Sequence, residues 1–304
     1  MPLALDTRRR LPAALQSLLQ REFDQAIRRL DQAAGNKPTD RVTGVHEFRR
    51  SVKRLRAALM LMDGVVPEPE LRAIDRAISD ATRRLGSLRD AHARRIAAER
   101  IVKLVPKSMR ALAMDAWRTS GGSVAEAAAG LSNAAAQALV HASRAEIESI
   151  RERVRALDMS RLDAGAVADA LARAWGRARD RFRASWTGRD EAWLHGVRKR
   201  AQRMANLLLL VAPAAGAWAV RIEARLRKAS ALLGEARDAE LMVQAMPALP
   251  AGNPLQVPAH RLRMAARQHR VKCLRLARVQ GAAAMREGRG EVRKRLRKAL
   301  DPAR

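Results

Sequence analysis

Two segments of the sequence combine a histidine with basic residues at the spacing of one helix face. In VHEFRRSVKRLR the hydrogen-bond donors are His46, Arg49, Arg50, Lys53 and Arg54. In LHGVRKRAQR they are His195, Arg198, Lys199 and Arg203, and Gln202 stands at the position equivalent to Lys53. Guanidinium, ammonium and imidazolium groups all donate hydrogen bonds to phosphate oxygens. These residue types therefore suit the binding of an anion with many charges.

A helical wheel, at about 100° per residue, puts each set of donors on one side of a helix. We call these sides the first basic stripe (the donors from His46 to Arg54) and the second basic stripe (the donors from His195 to Arg203). The opposite sides are predicted to be buried, because they carry Phe48, Val52, Leu55, Leu59 and Met62 in the first segment and Val197, Met204, Leu208 and Val211 in the second.

Neither basic stripe is predicted to contain a carboxylate, since Glu47 falls beside the apolar side of its helix. Like charges one turn apart repel each other, so an external anion is the simplest partner, and a solvated basic face is the alternative. Each histidine is predicted to contact the same anion, whose charge favours the imidazolium form; a structural hydrogen bond is the alternative. Metal ligation by His46 or His195 is not expected, because no second His or carboxylate follows at i+3 or i+4.

The composition points to a basic helical protein. Sixty Lys and Arg against 31 Asp and Glu give a net charge of +29, and only nine of the sixty are Lys. This excess of arginine favours phosphate as the partner. Apolar residues make up 48% of the 304 residues, which is enough for a core, and the absence of Tyr with only three Phe favours helices over strands.

Three observations bear on the compartment. Cys273 is the only cysteine, so the chain cannot form an intrachain disulfide or a multi-cysteine metal site. The segment MPLALDTRRRLPAALQSLL lacks the pattern of a secretory signal. The apolar run NLLLLVAPAAGAWAV is interrupted by Pro213 and is shorter than the roughly 20 residues of a membrane span. We therefore expect a cytoplasmic protein without a membrane partner.

Helical periodicity covers most of the chain, and Gly and Pro mark the ends of the predicted helices. In the first half the helices are predicted at about 11–34, 40–64, 65–104 and 124–157. In the second half they are predicted at about 164–186, 190–211, 214–246 and 259–284, followed by a short basic helix in EVRKRLRKAL.

The two halves repeat the same motifs at nearly the same spacing. His46 and His195 lie 149 residues apart; 44 residues separate His46 from Asp90, and 43 separate His195 from Asp238. These matched anchors predict an internal duplication. The predicted fold class is all-α, with one four-helix unit in residues 1–158 and a second in residues 159–304, the latter extended by the C-terminal helix.

The aspartates belong to a second repeated motif, LGSLRDA at residues 85–91 and LGEARDA at residues 233–239. Gly86 and Gly234 are predicted inside long helices, where glycine costs about 1 kcal/mol relative to Ala, so they indicate close approach of another helix. Arg89 and Arg237 are candidates to extend the basic surface, and the aspartates after them to orient a neighbouring arginine. Intrahelical ion pairs are the alternative.

This combination of motifs resembles the CHAD domain, the conserved histidine α-helical domain, from about Gln16 to Gly281. The resemblance implies two four-helix bundles related by a pseudo-two-fold axis, with a basic channel between them that binds inorganic polyphosphate. It implies that the first basic stripe with Arg89 lines one wall and the second basic stripe with Arg237 lines the other. Gln202 departs from the family, in which a basic residue is common at this position.

The expected function is the non-catalytic binding of inorganic polyphosphate, with other polyanions as further partners, no cofactor and no metal. Some family members associate with polyphosphate granules, and we expect the same location here. Sequence-independent nucleic-acid binding is the alternative, but single-strand binders usually add stacking aromatics, and no Trp or Phe falls on a basic stripe. Phosphoryl transfer is not expected, because no P-loop motif and no acidic pair accompanies either stripe.

Overall fold

The computed structural model describes residues 4–301 except 7, 36, 120–131, 185–190, 247, 248 and 251; the side chains of 38, 87–94 and 191–193 are also outside the description. Within these ranges the protein is all-helical and has no strand, as the composition predicts. The helices are α1 (Leu11–Ala33), α2 (Pro38–Leu59), α3 (Glu68–Arg84), α4 (Ser87–Val102), α5 (Arg110–Trp117), α6 (Asn133–Arg155), α7 (Ala164–Ala184), α8 (Glu191–Gln244), α9 (Gln256–Ala284) and α10 (Arg289–Leu300).

The prediction of one long third helix over residues 65–104 is wrong. Leu85, with φ −89° and ψ 12°, leaves the helical region after α3, and Gly86 precedes the first residue of α4. Glycine has a low helix propensity, so a break at this position is favourable. The predicted fourth helix is confirmed over residues 133–155, whereas residues 124–131 lie outside the described residues. Helix α5 was not predicted.

Helix α8 is a helical hairpin. Its backbone leaves the helical region at Gly216, with φ 64° and ψ −155°, three residues after the predicted break at Pro213. Glycine takes a positive φ without the steric penalty of a Cβ, so the chain turns there and not at the proline. We call residues 191–215 the first arm and residues 217–244 the second arm. The arms run antiparallel, because Arg198 packs against Gly234 while Ser230 Oγ donates to Arg198 O at 3.4 Å.

The α8 hairpin is also long and apolar enough to cross a membrane by length and composition alone. Its most apolar 18-residue window has a mean hydropathy of 1.6, and 44% of that window is buried inside the protein. Leu207, Leu208 and Leu210 lie in the core, and Gly216 bends the segment. The absence of a membrane partner stays a prediction.

The main core joins the two predicted units. Its buried residues extend from Leu5 to Leu300 and include Phe23 and Phe48 from the first unit and Trp175 from the second. Helices α1 and α2 approach closely at Gly44, where an added Cβ would lie 2.6 Å from both Arg29 O and Ala33 N. This contact lets α2, which carries the first basic stripe, pack closely on α1.

The predicted basic C-terminal helix is confirmed as α10, and it packs on the rest of the chain. Val292, Leu296 and Leu300 are buried in the main core. Arg293 donates two hydrogen bonds to Asp169 of α7, at 2.5 and 2.8 Å. Part of the positive charge of α10 therefore serves to attach the helix.

Candidate functional site

The first basic stripe lies on α2. Phe48, Val52 and Leu55 on the opposite side are buried in the main core, which confirms the predicted faces of this helix. The donors differ in exposure: the His46 side chain is 62% exposed, whereas that of Arg54 is 17% exposed.

Two arginines of the first stripe form hydrogen bonds with carboxylates, contrary to the prediction, and His46 Nε2 lies 3.9 Å from Glu47 Oε1. Arg50 Nη1 lies 3.0 Å from Glu47 Oε1, so Glu47 reaches the stripe from the side of the helix. Burial alone would raise the pKa of Glu47. The hydrogen bond and charge of Arg50, together with the charge of His46, outweigh this effect and bring the pKa below its usual value. Arg54 Nε donates to Glu22 Oε2 of α1 at 2.7 Å. An anion at Arg50 or Arg54 therefore competes with a carboxylate.

The second basic stripe lies on the first arm of α8. Val197, Met204, Leu208 and Val211 on its opposite side are buried, again as the wheel predicts. Arg198 lies against the second arm at Gly234, where an added Cβ would meet the guanidinium at ordinary van der Waals distance, 3.4 Å from Arg198 Cζ. The prediction that glycine is needed for close packing therefore stays a prediction for Gly234, while Gly86 lies at a helix break.

The two stripes meet at a groove of about 460 Å³ between α2, α3 and the first arm of α8, which we call the central groove. Its basic residues are Arg49, Lys53, Arg56, Arg83, Lys199 and Arg203. Asn206, buried in its floor, donates from Nδ2 to Lys53 O at 3.3 Å and joins the two helices. Four of the predicted donors therefore line one groove, two from each stripe.

The other predicted donors lie around this groove. A pocket of about 230 Å³ shares Lys53 and Gln202 with it and adds Arg50 and Arg54. A second pocket of about 230 Å³, between the arms of α8 and α9, is lined by His195, Arg198 and Arg237; we call it the lateral pocket. His46 lies exposed on α2 outside these linings. Arg89 belongs to α4, and its side chain lies outside the described residues.

Sequence reasoning missed Arg56, which lines the central groove. Its Nε and Nη2 donate to Asp75 Oδ1 and Oδ2 of α3 at 2.6 and 2.7 Å. A signal was present, because Arg49, Lys53 and Arg56 follow the i, i+4, i+7 spacing of one helix face. Asp75 carried no such signal, since it belongs to another helix.

The cations of the central groove repel one another; among them, Arg203 is half-buried and Lys199 is exposed. Burial lowers the pKa of the Lys199 ammonium, and the charges of Arg56, Arg237, Arg203 and Arg198 lower it further. Burial also lowers the pKa of Arg203, with a further decrease from Arg56 and a smaller opposing effect from Asp75. An anion in the groove would relieve this repulsion and favour the charged form of Lys199.

His195 is neutral at pH 7 in the protein without a ligand. Burial lowers its pKa to about 4, and Lys199, Arg237 and Arg198 contribute by repelling the imidazolium charge. Its Nδ1 contacts Nη1 of Arg237, and because a guanidinium only donates, Nδ1 must accept and Nε2 must carry the proton. In this state the His195 ring can donate one hydrogen bond, from Nε2, to an anion.

The second RDA segment links the arms of α8 to α4. Arg237 is exposed and contacts His195, so it extends the basic surface as predicted. Asp238 Oδ2 lies 3.9 Å from Arg100 Nη1 of α4, an exposed ion pair, and the role of this aspartate in orienting an arginine stays a prediction.

The order of these motifs is that of a known family. The sequence model of the CHAD domain matches residues 17–219, two thirds of the chain. The chain belongs to the CHAD domain family. The matched range contains both basic stripes and the first LGxxRDA segment, whereas Gly234 and Arg237 follow it.

Among solved structures, PptA from Streptomyces chartreusis aligns with this CHAD protein with a TM-score of 0.49 and 16% identity. The alignment covers 90% of this chain and 98% of that chain. No curated protein matches the sequence.

Proposed function

We propose that this CHAD protein binds inorganic polyphosphate in the central groove without catalysis. The observation that carries the proposal is the convergence of Arg49 and Lys53 from α2 with Lys199 and Arg203 from α8 on one groove. Residues one helical turn apart lie about 5.4 Å apart along the axis, so each stripe offers a row of donors to a chain of repeated phosphates.

The electrostatics of the groove support a polyanion as the ligand. Lys199 is an exposed ammonium with the charges of four arginines acting on it, and each added negative charge in the groove reduces its repulsion energy. A linear polyanion also releases counterions on binding, so we expect the affinity to fall steeply with salt.

We propose binding without catalysis because of the side chains that line the groove. Beside its cations, its described lining consists of Val52, Ser79, Thr82, Gly86, Gln202 and Asn206. Enzymes that transfer phosphoryl groups normally hold Mg²⁺ with carboxylates. Incubation of the protein with polyphosphate and Mg²⁺ should therefore release no phosphate above the protein-free control.

The direct test compares two pairs of lysines in the full chain. Replacement of Lys53 and Lys199 by Gln should weaken polyphosphate binding. Each lost charge-assisted hydrogen bond is worth about 1.5–3 kcal/mol, so each should lower the affinity by about tenfold or more. Replacement of the exposed Lys294 and Lys298 of α10 removes the same charge from residues that do not line the groove. Titration with polyphosphate of defined length at two salt concentrations measures both affinity and salt dependence. Equal losses in the two variants would contradict a site in the groove.

Sequence-independent nucleic-acid binding is the second candidate, because the same cations also suit a phosphodiester backbone. Competition separates the two ligands: short polyphosphate should displace bound single-stranded and duplex DNA, while DNA at equal phosphate concentration should displace polyphosphate poorly. Equal displacement in both directions would favour a general polyanion binder.

We also propose the finer fold and location that the family implies. In this proposal residues 1–158 and 159–304 are duplicated four-helix units related by a pseudo-two-fold axis, which predicts a rotation near 180° when α2 is superposed on the first arm of α8 in an experimental structure. We further propose that the protein is cytoplasmic and associates with polyphosphate granules, which a fluorescent fusion with polyphosphate staining would test.

A further inference from the structure

Three possible metal ligands meet between the second arm of α8 and α9, away from the central groove. His269 Nε2 lies 3.1 Å from Glu235 Oε2. Cys273 Sγ lies 3.4 Å from His269 Nε2 and 3.8 Å from Glu235 Oε2. All three ligand atoms lie within 4.8 Å of one another.

These separations match those of ligands around one tetrahedral metal ion. In zinc sites the metal–ligand distances are about 2.3 Å to sulfur, 2.0–2.1 Å to nitrogen and 2.0–2.2 Å to oxygen, so neighbouring ligands at tetrahedral angles lie about 3.4–3.6 Å apart. The three observed separations differ from these values by about 0.3 Å or less. Only small side-chain movements would therefore be needed to enclose a metal ion.

The helices hold these side chains in place. His269 and Cys273 are four residues apart on α9 and therefore lie on the same side of that helix, while Glu235 faces them from α8. The Cys273 residue is 2% exposed, and the side chains of His269 and Glu235 are 15% and 32% exposed. The site is thus largely shielded from water but keeps one open side, at the carboxylate.

We propose that Glu235, His269 and Cys273 bind one Zn²⁺ ion, with water as the fourth ligand. Thiolate and imidazole ligands select zinc over the hard cations Mg²⁺ and Ca²⁺. When the metal binds, the Cys273 S–H bond breaks, its proton leaves to solvent and an S–Zn bond forms. The thiolate and the Glu235 carboxylate together neutralise the two charges of the ion, which matters in a chain with a net charge of +29.

A metal ion here would fix the position of the second arm beside the lateral pocket. Glu235 follows Gly234, which packs on Arg198, and precedes Arg237 by two residues. On the other side, Arg270 follows His269 and lines the lateral pocket, where its Nε lies 2.9 Å from Glu240 Oε2. The proposed role of the ion is therefore to hold α9 against the second arm.

Titration with Co²⁺ tests the site, because a cobalt thiolate gives a charge-transfer absorption that cobalt bound only to N and O ligands does not give. The untagged full chain is titrated under a thiol-free reductant and without phosphate compounds. We expect one Co²⁺ per chain, tetrahedral d–d bands, the thiolate band, and loss of all of these when Zn²⁺ is added.

The ligand variants are Cys273→Ser, His269→Gln and Glu235→Gln, and the matched control is His260→Gln, which removes an exposed histidine from the same helix. Loss of an outer partner of a metal ligand already weakens binding by about 10- to 100-fold, so loss of a direct ligand should weaken it at least as much. Zn²⁺ should raise the melting temperature of the wild type and the control but not of the ligand variants.

Three results would overturn the proposal: a Co²⁺ spectrum without the thiolate band, unchanged metal affinity in His269→Gln and Glu235→Gln, or no displacement by Zn²⁺. Any of them would mean that the three groups form a hydrogen-bonded cluster only. Circular dichroism shows which variants fold; if Cys273→Ser does not, the other two ligand variants decide the result. None of these measurements depends on polyphosphate binding.

Discussion

Asn206 of α8 donates a hydrogen bond from Nδ2 to the main-chain carbonyl of Lys53 in α2, at 3.3 Å. Asn206 is buried, and it reaches the backbone of the other basic helix between two pockets that share Lys53 and Gln202. A single uncharged amide group therefore connects the two helices that carry the rows of cations.

Replacement of Asn206 by Ala should lower both stability and affinity. Loss of the hydrogen bond should reduce the free energy of unfolding by about 0.5–1.5 kcal/mol, and polyphosphate affinity should fall because the stripes are no longer held at one spacing. Denaturant unfolding and a polyphosphate titration measure the two effects. Gln202→Ala, which alters the same groove at a half-buried position, is the control for side-chain loss. A normal affinity in Asn206→Ala would show that the spacing is set elsewhere.

The pair between Arg54 and Glu22 predicts opposite effects on stability and binding. Glu22→Gln removes the carboxylate that lies 2.7 Å from Arg54 Nε, which should reduce the free energy of unfolding by about 1.5–3 kcal/mol. Polyphosphate affinity should increase, because an anion no longer competes with Glu22 for Arg54.

A matched control for this prediction is Glu68→Gln, which breaks an exposed pair with Arg72 on α3, where both side chains are 68% exposed. Such a surface pair is worth about 0–1 kcal/mol, so both stability and affinity should change little. If Glu22→Gln binds polyphosphate no better than the wild type, then Arg54 does not contact the ligand.

The face that carries each basic stripe was predictable because each stripe is periodic along its own helix, whereas the convergence of the two stripes was expected from the resemblance to the CHAD domain. Arg49 and Lys53, or Lys199 and Arg203, occupy one face at fixed spacing, and the apolar residues between them define the buried side. The repeated spacing from each histidine to its RDA segment predicted two related surfaces, and the internal duplication stays a prediction.

Contacts between helices distant in sequence were not predictable in the same way. Glu22 and Asp75 neutralise arginines of α2 from α1 and α3, and a helical wheel of α2 contains neither residue. Glu235 likewise meets His269 from another helix, 34 residues away. The position of one helix break was also predicted wrongly, because Pro213 and Gly216 lie close together and both can end a helix. The chain continues as a helix through Pro213 and bends at Gly216.

The C-terminal helix α10 is predicted to act mainly through its apolar side. Leu296 is fully buried in the main core, so Leu296→Ala should reduce the free energy of unfolding by about 2–5 kcal/mol. Lys298→Ala, two residues away and exposed, should change it by about 0.5 kcal/mol or less. Equal effects of the two substitutions in denaturant unfolding would mean that α10 is not packed on the core as described.

His195 should make stability depend on pH in a defined window. Its pKa is about 4 in the folded chain and 6.5 when unperturbed, so between these values the unfolded chain binds a proton that the folded chain does not. The free energy of unfolding therefore falls as the pH decreases from 6.5 towards 4. The stability associated with a neutral His195 is fully present only above pH 6.5. The groups that exclude the proton are Lys199, Arg237 and Arg198, together with burial of the ring.

The substitution His195→Gln tests this, because glutamine cannot take up a proton in either state. Its unfolding free energy should fall less steeply than that of the wild type between pH 6.5 and 4, although other groups titrate in both proteins. Denaturant unfolding at several pH values in one ionic strength measures the difference, and His46→Gln, which removes an exposed imidazole of the first stripe, is the control. Parallel curves for wild type and His195→Gln would show that His195 is protonated as readily in the folded protein as in the unfolded chain.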